Sequence, residues 1–330
     1  MTQSIRACQV MVRYLIAGMY LLPGSTFCIL NLLTGLVLLS KKEFRKPAFY
    51  LMVSLCISDA VELWTTGPYA GARILLSSNY TTYTIMDYYV GLISAAEWWI
   101  GSTLFVFIAF NRFIVITRWR SVEYWFNKKA AIAYVLGPHI FFFTWMTLFF
   151  FFVSRNVMIY DGNILTFTYK HAFISNLNNV FATTCALIQI TLNVLTIRGI
   201  RKLKKAHSEG RSIGGMTSDK LKQETKLTIQ CILSSTAYCA TTINFQCVFA
   251  VAPYVKLELR DFIAVHMVWT ANHCINPVIY LLFNRPLRER MREIALKLCP
   301  CVRSPSVAIQ PISVLNNTVR STASEAGWQR

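Results

Sequence analysis

Seven long stretches of the chain are apolar and carry few charges, and this pattern limits the fold more than any other feature. A helix needs about 20 mostly apolar residues to cross a lipid bilayer. The 330 residues are 55% hydrophobic and 15% charged, whereas soluble domains average about 45–50% apolar and roughly 25% charged residues. The sequence therefore argues against an ordinary soluble enzyme and predicts an all-α membrane protein, a seven-transmembrane helix bundle. The predicted spans are residues 14–40, 47–76, 86–117, 130–153, 171–197, 227–255 and 262–284.

The net charge of +18 is distributed unequally along the chain. Of the 33 Lys and Arg residues, 26 lie at the ends of spans one, three and five, in the connections after them, or beyond span seven. Because basic residues collect on the cytoplasmic side of membrane proteins, we expect an N-terminus outside the cell membrane and a cytoplasmic C-terminus. Attraction to anionic membrane lipid then accounts for the charge, and no nucleic acid partner is needed.

The spans divide the chain into four parts. Residues 1–13 form a predicted extracellular N-terminus, and residues 14–284 form the seven-span domain. Residues 285–298 are basic and amphipathic, which is typical of a short helix on the membrane surface. Residues 299–330 are rich in Ser, Thr and Asn, and this composition predicts a disordered cytoplasmic tail.

Three residues outside the spans are candidates for modification. Cys299 and Cys301 follow the amphipathic segment directly, a position that suits S-palmitoylation, although two unmodified thiols are the simpler alternative. Asn79 begins an Asn-Tyr-Thr sequon on the predicted outer side, where glycosylation can occur. The other cysteines lie mostly inside spans, where Cys behaves as a small apolar residue, so no disulfide framework is predicted.

Charged and polar side chains inside the spans are the first candidates for function, since they are costly at bilayer depth. Asp59 and Glu62 lie on one face of span two, and Glu97 lies about midway along span three. Such residues must face the bundle interior, where a purely structural network of hydrogen bonds is the alternative to a functional site. Span seven adds a polar and aromatic stripe at helical spacing, which consists of His266, Trp269, His273, Asn276 and Tyr280.

Two features near the predicted cytoplasmic side suggest a switch. Span seven contains Asn276-Pro277-Val278-Ile279-Tyr280, and a proline inside a membrane helix removes one backbone hydrogen bond and permits a swivel. Span three ends in Asn111-Arg112-Phe113. Arg112 can contact a partner protein or an acid on span six, and its alternative role is to anchor the helix by reaching the membrane interface.

Taken together, these features resemble the rhodopsin-like G-protein-coupled receptors, over nearly the whole chain to about residue 298. The features that carry the resemblance are Asp59 in span two, the Asn-Arg-Phe sequence at Arg112 and the Asn-Pro-x-x-Tyr motif of span seven. The finer pattern is similar to the nematode serpentine chemoreceptors of class T or class X. It consists of residues 110–113, 269–273 and 280–285.

The resemblance implies an activity and several partners. A receptor of this kind binds an extracellular small molecule or peptide and activates a heterotrimeric G protein. Asp59, with Asn272 and Asn276, would form an interior polar centre able to hold a sodium ion, and Glu97 would add a second acid. No other cofactor or metal is expected. The residues implied in activation and G-protein coupling are Asn111, Arg112, Phe113, Glu224, Pro277 and Tyr280.

The chain also departs from the rhodopsin-like pattern. The usual cysteine at the outer end of span three is replaced by Asp87, and no cysteine lies between Cys56 and Cys185, so the usual bridge to the second outer loop cannot form. Residues 227–251 of span six contain neither Trp nor Pro. The residue that binds amines in related receptors corresponds to Ser94, which does not support an amine ligand. The geometric candidates for the ligand pocket are Ser94, Glu97, Trp98, His266 and Trp269.

Two other classes of membrane protein are alternatives to a receptor. A seven-span ion channel or transporter could line its path with Asp59, Glu97 and His273, but transporters usually contain paired repeats, and the sequence has none. An intramembrane hydrolase would need a tight catalytic constellation from the same few residues. The chain contains no His-Glu-x-x-His, Gly-x-Ser-x-Gly or Walker motif, so we do not expect an enzyme.

Overall fold

The computed structural model describes residues 2–40, 47–76, 84–118, 121–155, 157–161, 164–209, 218–251, 254 and 258–298. Seven long helical segments form the bundle, and the shorter elements are a single-turn helix, a hairpin and a helix after the seventh span. The helices are α1 (Thr2–Ser40), α2 (Pro47–Trp64), α3 (Ala70–Leu76), α4 (Ile85–Thr117), α5 (Val122–Trp125), α6 (Lys128–Phe152), α7 (Ala172–Ser208), α8 (Ser218–Val251), α9 (Leu259–Phe283) and α10 (Arg285–Leu298). The strands are β1 (Met158–Asp161) and β2 (Thr166–Tyr169).

Five segments are long and apolar enough to cross a membrane by length and composition, within the described parts of the chain. They are Met11–Ser40, Pro47–Leu76, Ile85–Thr117, Lys128–Phe152 and Ala172–Ser208. The helices α8 and α9 have sufficient length but are more polar, because α8 begins with a charged turn and α9 carries the polar stripe.

Helix ends differ from the predicted spans because an apolar run marks only the membrane-facing part of a helix. The first helix begins at Thr2, so residues 2–13 continue α1 and do not form a separate irregular segment. At the basic side, α7 continues to Ser208, well beyond residue 197, and α8 begins at Ser218 rather than at residue 227.

The second span contains a change of helix type. Residues Thr65–Tyr69 form a π-helical turn between α2 and α3, and Pro68, which lacks a backbone N–H, lies inside it. Gly67 faces Gly24 of α1 so closely that a Cβ atom on either would overlap the other's backbone. Small residues allow membrane helices to approach in this way, so the π turn is a point of close approach between α1 and the second span.

An antiparallel hairpin, β1–β2, lies between α6 and α7 and was not predicted from the sequence. Its register pairs Met158 with Tyr169 and Asp161 with Thr166. Leu165, in the turn, has a φ of 52°, which is unfavourable for a side chain with a Cβ. The Tyr20 hydroxyl of α1 donates to the Leu165 carbonyl at 2.8 Å and supports this turn.

The end of the bundle that carries the hairpin has no disulfide among the described residues. The described cysteines from Cys28 to Cys274 are all free. Asp87, at the position of the usual cysteine, caps α4 together with Thr84 and accepts hydrogen bonds from Arg73 Nε at 2.9 Å and the Tyr69 hydroxyl at 2.6 Å. The backbone of β1 lies against Gly91 of α4, where a Cβ atom would overlap the Met158 carbonyl.

The chain divides into two units, residues 1–291 and 292–330. The helix predicted at residues 285–298 is present as α10; its place on a membrane surface stays a prediction. The predicted tail at 299–330, the palmitoylation candidates Cys299 and Cys301, and the glycosylation candidate Asn79 lie outside the described residues.

Candidate functional site

Asp59 lies at the centre of a buried hydrogen-bond network between α2 and α9. Its Oδ1 accepts from His273 Nδ1 at 2.7 Å and its Oδ2 accepts from Asn276 Nδ2 at 2.6 Å. The Trp269 indole N–H donates to His273 Nε2 at 3.0 Å, and since that group can only donate, the imidazole must be neutral with its proton on Nδ1. Trp269, His273, Asp59 and Asn276 thus form one continuous chain of hydrogen bonds.

Pro277 leaves a backbone carbonyl of α9 free to accept a hydrogen bond from α1. A proline cannot donate to the carbonyl four residues earlier, which here belongs to His273. Asn31 Nδ2 of α1 donates to that carbonyl at 3.1 Å. The motif residue Asn276 therefore contacts the carboxylate, while Asn31 satisfies the freed carbonyl.

The third residue of the expected polar centre, Asn272, is buried but does not bond to Asp59. Neither atom of its side-chain amide has a partner among the described residues, and Oδ1 of Asn276 and Oδ1 of Asn31 also lack one. Oxygen atoms of this kind suit a hard cation such as sodium. Within the described residues, no group of three or more His, Cys, Asp and Glu side chains could hold a metal ion.

Two further acids join α2 to α4 beside this network. Ser58 donates to a carboxylate oxygen of Glu97 at 2.5 Å, and Ser94 donates to Glu62 Oε2 at 2.8 Å. Both carboxyl groups are almost completely buried. Ser94 and Glu97, predicted to lie in the ligand pocket, are therefore engaged in contacts between helices and do not line the cavity described below.

His266, also predicted for the pocket, is fully buried in a structural contact. Its ring stacks on Tyr20 with centroids 3.9 Å apart, and its Nε2 donates to the Thr66 carbonyl at 2.8 Å. The Thr166 hydroxyl of β2 lies 3.2 Å from Nδ1. His266 thus connects α9 to α1, the π turn and the hairpin.

A small cavity lies beneath the hairpin. Two of the predicted pocket residues, Trp98 and Trp269, lie in its wall with their rings in edge contact, 6.0 Å between centroids. The described part of its wall contains aromatic, methyl, hydroxyl and amide groups but no Lys, Arg, Asp, Glu or His. The seven lining residues are Trp98, Met158, Tyr169, Asn178, Thr241, Phe245 and Trp269.

The polar atoms of the cavity wall are held by neighbouring helices. Asn178 Oδ1 of α7 accepts from Trp99 Nε1 at 2.9 Å and from the Tyr169 hydroxyl at 3.2 Å. Burial raises the pKa of Tyr169 above its usual range, so its hydroxyl stays a neutral donor at physiological pH. On α8, Tyr238 packs against Trp98 and donates to Ser102 Oγ at 2.7 Å, which connects the cavity wall to α4.

Arg112 forms a separate buried polar contact near the C-terminal end of α4. Its Nη1 lies 3.0 Å from Glu224 Oε2 of α8, and the Arg112 side chain is 4% exposed. The adjacent Asn111 accepts hydrogen bonds from the same guanidinium. This ion pair between Arg112 and Glu224 joins α4 to α8 at the basic end of the bundle.

The remaining predicted residues lie near this end. Tyr280 is 2% exposed in α9, and α9 continues without a break through Pro277. Phe113 is half-buried and lines a groove between α4 and α7. The sequence did not single out the cavity residues Met158, Tyr169, Asn178, Thr241 and Phe245, because their proximity depends on the hairpin and on helix rotation.

This arrangement defines the chain as a seven-helix G-protein-coupled receptor. The structure of squid rhodopsin shares the fold, with a TM-score of 0.71 at 14% identity, over 89% of this chain and 88% of that chain. Rhodopsins from Cambarellus shufeldtii and Procambarus clarkii are each 24% identical, covering 76% and 89% of this chain and 87% and 80% of their own length.

The chain belongs to the family of serpentine type seven-transmembrane G-protein-coupled chemoreceptors Srx, whose model matches residues 24–284. Of the two chemoreceptor classes considered from the sequence, class X is the one matched. The chain is therefore a multi-pass membrane protein and a chemoreceptor, and its family comprises receptors rather than enzymes. The channel or transporter alternative is not favoured.

Proposed function

We propose that this receptor binds a small, uncharged and largely apolar molecule in the cavity beneath the hairpin and activates a heterotrimeric G protein at the opposite end. The observation that carries the proposal is the cavity wall, whose described residues offer four aromatic side chains, a threonine hydroxyl and an amide, but no charged group. A charged ligand would lose its hydration there without gaining a counter-charge.

The hydrogen-bond network supplies a route from the ligand to the switch motif. Trp269 lies in the cavity wall and bonds to His273, which bonds to Asp59. If a ligand binds more tightly to one position of the Trp269 ring than to another, it shifts the population of receptor states. The difference between the two affinities sets the size of this shift. Because Asp59 also holds Asn276, this shift reaches the flexible part of α9 at Pro277.

The proposed orientation places the cavity outside and Arg112 on the cytoplasmic side of the cell membrane. It is supported by the concentration of Lys and Arg at the Arg112 end of the helices. In the active state α8 would move away from α4, the contact between Arg112 and Glu224 would break, and Arg112 would contact the G protein.

A sodium ion in the interior would stabilise the resting state. Asp59 and the unpartnered amide oxygens of Asn272 and Asn276 offer hard oxygen donors. We expect the melting temperature of the detergent-solubilised receptor to rise with sodium relative to equal choline. The Asp59→Asn variant should lose this difference.

The ligand proposal is tested with cells that express the receptor together with a promiscuous Gα. A panel of uncharged volatiles, small acids and lipids is applied, and potency is compared between wild type, Phe245→Leu and Phe181→Leu. Phe245 lines the cavity, whereas Phe181 packs on Trp99 outside its lining. Uncharged agonists should be found, and only Phe245→Leu should shift potency toward bulkier ones.

Three results would contradict the proposal. They are agonists that all carry a formal charge, equal effects of the two phenylalanine variants, and an ion current that appears without any G protein. The last result would revive the channel alternative.

A further inference from the structure

A second, larger groove lies at the basic end of the bundle, between the last turns of α4 and the last turns of α7. It is open to solvent and has a volume of about 650 Å³. Gly199 lies at its base, where a Cβ atom would come within 2.9 Å of the Ile116 side chain and 3.0 Å of Thr117. Because Gly199 has no side chain, α4 and α7 come close together at the base of the groove, and the groove stays open towards the helix ends.

The α7 side of the groove carries three exposed cations, Arg198, Arg201 and Lys202. Their spacing of three and four residues places them on one face of the helix. Among the described residues, none of the three forms an ion pair, in contrast to Arg112, whose partner is Glu224. The groove thus concentrates positive charge that is available to an external anion.

The rest of the wall is apolar. Ile116 and Phe113 of α4 face Leu195 and Leu203 of α7, and Leu195 is 38% exposed. A soluble phosphate would contact the cations but leave this apolar surface unused. A molecule that joins a phosphate group to a hydrocarbon chain would cover both parts.

We propose that this groove binds an anionic phospholipid of the cytoplasmic leaflet, with its phosphate-bearing headgroup on Arg198, Arg201 and Lys202 and the start of an acyl chain along Leu195. The proposal rests on the orientation proposed above, and it does not require the ligand cavity or G-protein coupling. Basic pockets between membrane helices on the cytoplasmic side recognise such headgroups, and arginine binds phosphate through two parallel hydrogen bonds.

The groove is separate from the proposed coupling contact. Its lining includes neither Arg112 nor any residue of α8, so a lipid bound there would leave that contact accessible. Binding would instead join α7 to α4 and stabilise this helix pair. The other conceivable occupant is a surface of the G protein, and the experiment distinguishes the two.

The test uses full-length receptor in nanodiscs of phosphatidylcholine, with and without phosphatidylinositol bisphosphate, and measures lipid retained per receptor by native mass spectrometry. The variant Arg201→Gln/Lys202→Gln removes two groove cations. The matched control Lys204→Gln/Lys205→Gln removes two exposed cations of α7 that do not line the groove. All four positions are exposed, so both variants should fold, and their melting temperatures in phosphatidylcholine alone verify this.

We expect the groove variant to lower the affinity for the anionic lipid about tenfold or more, since each basic residue at an anionic surface contributes roughly fivefold, and the control to lower it much less. Soluble inositol trisphosphate should compete poorly, because it lacks the acyl chain. Equal losses in both variants would mean general charge attraction and would overturn the proposal. Unchanged lipid retention with reduced G-protein activation would assign the groove to the G protein instead.

Discussion

Two of the buried polar contacts between the helices of this receptor, one at Asp59 and one at Arg112, are built from different chemistry. Asp59 is a carboxylate whose partners are an uncharged imidazole and an uncharged amide. Arg112 is a guanidinium whose partner is the carboxylate of Glu224, 13% exposed. The first joins α2 to α9 in the interior, and the second joins α4 to α8 at the basic end.

This difference suggests that the Asp59 and Arg112 contacts have different roles in signalling. The Asp59 contact depends on the geometry of hydrogen bonds and is continuous with the cavity through Trp269, so it suits a sensor of side-chain position. The Arg112 contact depends on opposite charges, and breaking it leaves a charge that a partner protein can satisfy. It therefore suits a lock that opens once α8 moves.

The largest effect is expected at Arg112, where the change tests coupling against simple anchoring. Arg112→Ala should abolish G-protein activation at unchanged surface density, since the group that we propose contacts the G protein is lost. Arg112→Lys should fail as well, because an ammonium group cannot reproduce the planar set of donors of a guanidinium. G-protein activation and surface labelling are measured together. A fully active Arg112→Lys receptor would show that Arg112 only anchors the helix.

The Asp59→Asn variant tests whether the interior contact needs its charge. An amide of the same shape loses the charge-assisted bonds to His273 and Asn276, which are worth about 1.5–3 kcal/mol each, so agonist potency should change by tenfold or more. Concentration–response curves at matched surface density provide the measurement. The control is Ser54→Ala, which removes a buried hydroxyl of α2 that has no partner among the described residues. Equal responses of both variants and wild type would remove Asp59 from the signalling route.

The Glu224→Ala variant tests the lock directly. Removing the partner of Arg112 should favour the open state and raise basal activity up to about tenfold, which corresponds to ~1.4 kcal/mol. Basal G-protein activation is compared with that of Asp219→Ala, which removes a fully exposed acid at the start of the same helix. If basal activity stays at the wild-type level, helix packing rather than the ion pair holds the resting state.

The smallest effect is expected for Trp269→Phe, which tests whether the hydrogen bond between Trp269 and His273 connects the cavity to the Asp59 network. Phenylalanine keeps an aromatic ring in the wall but cannot donate to His273, and one neutral hydrogen bond is worth about 1 kcal/mol. Potency should therefore shift about fivefold. The control, Trp99→Phe, removes the indole bond to Asn178 outside the network. A larger effect in the control would place the signalling route through α7 instead.

The sequence by itself determined the class of fold and indicated that polar side chains around Asp59 face the interior. Seven long apolar stretches require spanning helices, since an isolated backbone cannot stay unpaired in lipid, and buried acids such as Asp59 must face inward. The spacing of His273 and Asn276 on one helix face was also visible, as was Glu224 as a partner for Arg112. These features depend on local composition and periodicity, which a single sequence displays.

The tertiary structure decided which of these residues lie together. Helix rotation and the hairpin placed Ser94, Glu97 and His266 in contacts between elements and brought Met158, Asn178 and Phe245 into the cavity wall with Trp98 and Trp269. It also left Asn272 without a bond to Asp59 and gave the His273 carbonyl to Asn31, 242 residues away in the chain. Such contacts depend on the relative positions of whole helices, and periodicity within one helix does not specify these positions.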